Sequence, residues 1–360
     1  MKSLCVILVF ASTLRAAAVS ADSSRGEALF QSLACVQCHS IDGKGGKVGP
    51  DLGRRIDRNF TPASLAATMW NHAPVMWSAM RDRNIAAGNL DEQGAADLLA
   101  YFYSVRFFDK PGDAGRGKAV FAAKHCAECH GLTSSKIPEA KPVAQWESID
   151  HPIQLMTAMW NHGANMRAEF QKRKFGWPDL SSQDLSDLLV YLRSLPVHNA
   201  ASALRLTSGS SGQALFDSKG CAGCHSGKNA LAPKLRGKTL TDIAADMWNH
   251  QPRMSPNPPA FTPDEMRELI SFLWAGQFFT GDGTPAAGAR VFTAKHCASC
   301  HNDKTGAFKL AGQFTAATMV SALWHHGPQM QEQMKSRHMP WPRFGGQDMA
   351  NLIAYLNTRK

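Results

Sequence analysis

The sequence predicts an all-α protein made of four helical units in tandem, and three observations lead there. A C-x-x-C-H motif occurs four times, at Cys35–His39, Cys126–His130, Cys221–His225 and Cys297–His301. Its first cysteines recur at intervals of 91, 95 and 76 residues, the self-similarity of an array of units. Each motif follows a short helical segment, and each unit closes on a stretch whose apolar residues recur at helical spacing. Finally, 360 residues exceed one ordinary compact domain, and a composition 44% apolar and 19% charged supplies real cores and excludes a disordered chain.

The elements follow in chain order. Lys2, the apolar run Leu4–Phe10 and the small-residue stretch ending Val19-Ser20-Ala21 read as a secretory leader cleaved after Ala21. A periplasmic or secreted location follows. The run is too short to span a membrane, and no other stretch of about 20 apolar residues exists. Cleavage removes Cys5, Lys2 and Arg15 and lowers the formal charge from +10 to +8. The opening segments carry Gly and Phe nine and five residues before each motif: Gly26/Phe30, Gly117/Phe121, Gly212/Phe216 and Gly288/Phe292. The closing segments are Gly94–Val105, Gln183–Leu195, Asp264–Trp274 and Gln347–Asn357, with an aromatic at Tyr101, Tyr191, Phe272 and Tyr355. Units are therefore expected at 22–108, 112–195, 212–279 and 284–360, with a linker at 196–211.

Units one and three end in Phe-Phe (Phe107-Phe108, Phe278-Phe279). Units two and four open with Ala-Lys-His-Cys and share Trp-Pro (Trp177-Pro178, Trp341-Pro342). This alternation reads as a duplicated two-unit module, with sequence neighbours packed together and a soft joint at Val197–Ser211.

The motif carries the chemistry. Cys35 and Cys38, Cys126 and Cys129, Cys221 and Cys224, and Cys297 and Cys300 use every cysteine beyond Cys5, which leaves none for disulfides. On a helical turn, positions i and i+3 project to one side, so both thiols can add to the two vinyl groups along one porphyrin edge. The next residue, His39, His130, His225 or His301, then lies beneath the iron as its proximal ligand. A zinc site or a redox dithiol would not require the histidine four times. Four covalently bound haem c groups are expected.

With these motifs, each unit resembles a small class I cytochrome c domain, and the mature chain resembles a tetrahaem cytochrome c arranged as two dihaem modules. The resemblance implies an opening helix, a loop, a middle helix, a methionine ligand and a closing helix that crosses the first. It also implies a proline whose carbonyl orients the proximal histidine. Pro50 and Pro233 match, Pro142 fits less well, and unit four has Phe308 instead.

A second recurring element concerns the sixth iron ligand: Trp70-Asn71-His72 to Met76, Trp160-Asn161-His162 to Met166, Trp248-Asn249-His250 to Met254, and Trp324-His325-His326 to Met330. Met76, Met166, Met254 and Met330 match the family's turn after the middle helix and are the expected ligands. His72, His162, His250 and His326 are the rivals, with haem-propionate bonding or helix capping as their alternative roles.

An iron bound by His and Met has no vacant site, so the expected function is one-electron transfer between redox partner proteins, donor and acceptor alike unspecified, and no catalytic residue is assigned. An oxidoreductase, peroxidase-like or acting on sulfur compounds, would need an open iron beside acid–base groups. His125, His151, His296 and His338 have no recurring placement that would supply them. Scattered lysines and arginines argue against nucleic acid. Ionised propionates would bring the charge to about +4, a modest positive face for acidic redox partners or a membrane-associated redox complex.

Overall fold

The computed structural model describes residues 21–53, 61–105, 111–146, 149, 151–196, 210–231, 233–235, 238–254, 258–276, 283–302, 310, 313–345 and 347–359. The leader before Ala21, the joint at 197–209, both Phe-Phe pairs and Phe308 lie outside these residues.

Each unit has an opening, a middle and a closing helix. These are α1 Ser23–Ser32, α2 Pro62–Asp82 and α3 Glu92–Ser104; then α4 Ala114–Ala123, α5 Pro152–Lys172 and α6 Ser182–Ser194. Unit three has α7 Ser210–Ser218, α8 Leu240–His250 and α9 Pro263–Ala275; unit four has α10 Pro285–Ala294, α11 Ala316–Ser336 and α12 Asp348–Leu356. The helices start where the sequence supplies a cap. Thr61, Ser181, Thr239, Thr262 and Thr315 each accept from the backbone N–H three residues on, and the residue there reaches back in a capping box. The only strands among the described residues form a two-residue hairpin, Ser40–Ile41 against Lys44–Gly45.

In every unit the opening helix crosses the closing helix at the residues singled out above. Phe30 meets Tyr101 with ring centroids 5.7 Å apart, Phe121 meets Tyr191 at 5.8 Å, Phe216 meets Phe272 at 6.3 Å and Phe292 meets Tyr355 at 5.4 Å. Units one and two fasten this crossing with a buried carboxylate. Asp187 accepts from Asp113 N (2.8 Å), Arg116 Nε and Nη2 (both 2.8 Å) and Gln183 Nε2 (2.9 Å). Asp97 has the same set from Asp22, Arg25 and Gln93.

Burial resists the charge on Asp187, but the Arg116, Asp113 and Gln183 bonds outweigh it and hold the carboxyl below its ordinary range. A depressed folded pKa contributes stability above the unfolded value, about 3.9, and that stability disappears as pH falls through the folded value. Asp187→Asn is therefore expected to cost roughly 1–3 kcal/mol at pH 7. In urea titrations the gap from wild type should close below about pH 4. A gap constant with pH would show that the charge is irrelevant.

The units pair, but not in sequence order. Unit one packs on unit four through α2 with α11, α3 with α11 and α2 with α12; unit two packs on unit three through α5 with α8, α6 with α8 and α5 with α9. The two pairs use the same elements, with the middle helices crossing at the centre, as in an isologous interface.

The Trp-Asn segments of the first three middle helices, and Trp324 of the fourth, make the contact. Asn161 exchanges two hydrogen bonds with the Phe261 backbone (2.7 and 3.0 Å), and Asn249 does the same with Leu180 (2.8 and 2.9 Å). Trp160 Nε1 donates to the Pro259 carbonyl at 2.8 Å, and Trp248 Nε1 to that of Pro178 at 2.7 Å. In the other pair Asn71 holds Phe344 (both 2.8 Å) and Trp324 Nε1 donates to Gly88 O at 2.7 Å. Tyr103 joins the pairs: its hydroxyl accepts from Leu240 N at 2.8 Å, and its ring lies 4.6 Å from that of Trp274.

Expected packing of unit one on two and of three on four is thereby corrected. A short link makes sequence neighbours adjacent, but the apolar Trp face of a middle helix mates with the unit that offers it carbonyl acceptors.

Candidate haem sites

The four C-x-x-C-H motifs share one backbone path. The residue before the first cysteine is left-handed in each: Ala34 (φ 60°), His125 (63°), Gly220 (78°) and His296 (60°). A single helical turn follows, and the histidine N–H closes it on the first cysteine's carbonyl at 2.9 Å in all four units. The turn holds both thiols and the imidazole in the order that two-point attachment to a porphyrin edge requires.

The two cysteines of a motif are not equivalent, and the turn differs between units at the second of them. In units two and three, Cys129 and Cys224 are the last residues of a four-residue α-turn. In units one and four the turn tightens to 3₁₀, and Cys38 and Cys300 stand just past its end, at the cap. The cause is the bond made by the second cysteine's own N–H. Cys38 N donates to Cys35 O and Cys300 N to Cys297 O, both at 3.2 Å, across three residues rather than four. Exposure differs too: Cys38, Cys129 and Cys300 are half-buried, whereas Cys224 is exposed. Cys300 Sγ lies 3.3 Å from Arg337 Nη1, so a side chain just past the middle helix reaches this thiol.

All eight of these cysteines are free of disulfides. Burial pushes the Cys35, Cys126 and Cys297 thiols up to about 11, which keeps them as neutral thiols. Burial also raises Cys221.

Loop carbonyls orient the proximal rings. His39 Nδ1 lies 3.0 Å from Pro50 O, and His130 Nδ1 lies 2.9 Å from Lys141 O. A donated Nδ1–H leaves Nε2 as the free lone pair, the state a metal ligand needs. Pro142 therefore acts from one residue further on: the carbonyl used is that of Lys141 before it.

Across from each proximal ring stands the histidine of the Trp-x-His segment. His39 and His72 are 6.1 Å apart between ring centroids, His130 and His162 6.1 Å, His225 and His250 6.0 Å, and His301 and His326 6.0 Å. In unit two the cleft between them is also lined by Cys126, Cys129, Met166 and Phe170. Burial, then the neighbouring His130, holds His162 below its ordinary range; burial and His225 do the same for His250. Both are therefore neutral at pH 7, as ligands must be.

The methionines do not share one placement. In units one, two and four the middle helix runs on to residues 82, 172 and 336, so Met76, Met166 and Met330 lie inside it, one turn past the histidine. The expected turn after the helix is absent there. Pro74 does not end α2: the Trp70 carbonyl it frees accepts Trp341 Nε1 at 2.9 Å. Only α8 stops among the middle helices, at His250, and passes into a 3₁₀ turn, Gln251–Arg253, that contains Pro252. Met254 then follows a 3₁₀ turn in an extended conformation.

His151 and His125 have structural roles. His151 caps α5, accepting from Gln154 N at 3.3 Å, and His125 stacks on Phe175 at 4.1 Å. Sequence reading missed the asparagines and tryptophans as interface residues; their recurrence beside the histidine was the available signal.

The arrangement fits a haem in each unit: two thiols and an imidazole on one side, a second imidazole facing it on the other. Among the described residues no helix is long and apolar enough to cross a membrane. The cytochrome c family model matches residues 23–106 and 114–196. The model described as cytochrome C oxidase, cbb3-type, subunit III matches residues 207–273 and 283–356. No characterised protein and no solved structure matches the chain.

Proposed function

The chain belongs to the c-type cytochromes, a multi-domain protein that binds haem c covalently and transfers electrons through it, and from that premise we propose a four-haem electron carrier working between redox proteins outside the cytoplasm. The observation that carries the count is the fourfold pairing of a C-x-x-C-H turn with a facing histidine at 6.0–6.1 Å. Cys35 with Cys38, Cys126 with Cys129, Cys221 with Cys224 and Cys297 with Cys300 hold the porphyrins. His39, His130, His225 and His301 bind the irons from the proximal side.

Bound haem supplies a one-electron iron couple; the protein's residues set its surroundings. Pro50 and Lys141 carbonyls fix two proximal rings, so little rearrangement accompanies a change of charge. Middle helices carry the facing histidines into the unit pairs, where Trp177 stacks on Trp248 at 4.2 Å and Trp70 on Trp341 at 5.4 Å. Both aromatic pairs bridge two units. The formal charge favours an acidic donor or acceptor, and the resemblance of units three and four to an oxidase subunit fits docking on a membrane-bound redox complex.

Export would follow from a leader removed after Ala21. Asp22 N lies 2.7 Å from Asp97 Oδ1, so the new terminal ammonium would meet a buried carboxylate. Mass spectrometry of the mature protein is expected to show a start at Asp22 and four haem additions. Fewer than four haems, or free thiols in the native protein, would sink the proposal.

A further inference from the structure

We propose that His72, His162, His250 and His326, rather than the methionines, are the sixth iron ligands, so that all four haems are bis-histidine. This inference rests on the reading that each motif binds a haem. A metal–imidazole bond is about 2.0 Å and the ring centroid lies roughly 1.1 Å behind its nitrogen, so two imidazoles on opposite sides of one ion stand about 6.2 Å apart. The four measured separations, 6.1, 6.1, 6.0 and 6.0 Å, fall at that spacing.

Variation among the repeats makes the argument stronger than one site could. The middle helix continues past the histidine in units one, two and four and stops at it in unit three. Met254 consequently leaves the helical path that Met76, Met166 and Met330 follow. The histidine-to-histidine spacing does not change with this. A feature held constant while its surroundings differ is the one the site selects.

Helix geometry excludes a shared role. A residue four positions on lies about 6 Å further along the axis, so His and Met of one straight helix cannot both stand over the same iron. Capping is not the histidine's role in the three helices that continue beyond it. The methionine one turn on is left to pack against the porphyrin: Met166 lines the same cleft as His162. Replacing thioether by imidazole lowers the potential, which assigns the chain to the lower-potential class of carriers.

The test uses the full-length holoprotein. In the oxidised state the weak far-red iron–sulfur absorption that marks methionine ligation should be absent. Its presence at the strength of one haem or more overturns the proposal. Met166→Leu should leave all four haems low-spin and closed to carbon monoxide when reduced. His162→Ala should open one haem of four to carbon monoxide, and His162→Met should raise the potential of that haem alone. An iron opened by Met166→Leu and not by His162→Ala overturns the assignment. If the His162 variants fail to fold, the wild-type far-red spectrum still decides it. A covalent haem count below four is the separate failure of the parent reading, and the same spectrum then judges the ligands of the haems present.

Discussion

Cutting the backbone between residues 196 and 212 is expected to release no free half. The nicked protein should elute at the mass of the intact chain, because both unit pairs cross the cut: unit one holds unit four, and unit two holds unit three. Each interface buries tryptophans and two-bond asparagine contacts at its centre, where binding energy concentrates. With two such faces engaged at once, the halves should associate with a Kd of about a nanomolar or tighter, on the order of 12 kcal/mol. Expressed separately, residues 22–195 and 212–360 would each expose two unmated middle-helix faces and should aggregate or associate with themselves. Co-expression should restore the complex. Halves that separate at micromolar concentration and stay monomeric would refute the crossed pairing.

The pairing shows where sequence reading ran out. Alternation of unit types was legible, and its meaning was partly recoverable: each observed pair does contain one Phe-Phe unit and one Trp-Pro unit. The Trp-Pro residue is part of the joint itself, since Trp177 Nε1 donates to Trp248 O at 3.3 Å and Trp341 Nε1 to Trp70 O at 2.9 Å. Which Phe-Phe unit mates with which Trp-Pro unit depends on contacts between units far apart in the chain. No local pattern encodes that.

The site was legible in unequal parts. The proposed attachment cysteines and proximal histidines come from spacing alone, because the turn that brings them together is local. Spacing does not say whether that turn is α or 3₁₀, so the different settings of Cys38 and Cys300 on one side, and Cys129 and Cys224 on the other, were not visible in it. The Phe and aromatic positions of the opening and closing helices were visible as repeated offsets, and their rings meet in all four units. Facing residues were harder. Met six after Trp and His two after Trp recur equally well, and the preference for Met rests on its place matching the family's turn after the middle helix. That turn does not form in units one and four, where Pro74 and Pro328 lie inside the helix. In unit one the freed Trp70 carbonyl accepts Trp341 Nε1 from the neighbouring unit, a compensation invisible to any single-unit reading.

The glycine nine residues before each motif leads to the second large expected effect. A Cβ built on Gly117 would overlap the Asp187 carbonyl and press on Tyr191 Cβ, and one built on Gly288 would overlap the Asn351 carbonyl. Gly117→Ala should therefore force α4 and α6 apart. Alanine's better helix propensity contributes about 1 kcal/mol in favour. Separating the helices strips the Asp187 bonds and the Phe121–Tyr191 contact, and the obstacle is backbone that no rotamer change can move. The net cost is expected to be about 3 kcal/mol, read as a lower urea midpoint together with loss of covalent haem from Cys126 and Cys129. Gly176→Ala, where an added methyl meets nothing within 4 Å, should stay within about 0.5 kcal/mol of wild type. Gly212→Ala should fall between the two, because its nearest backbone atom, the Glu268 carbonyl oxygen at 2.8 Å, stands further off than the Asp187 carbonyl does from Gly117. Equal, small effects at Gly117 and Gly176 would mean that the opening and closing helices do not cross as closely as the structure has them.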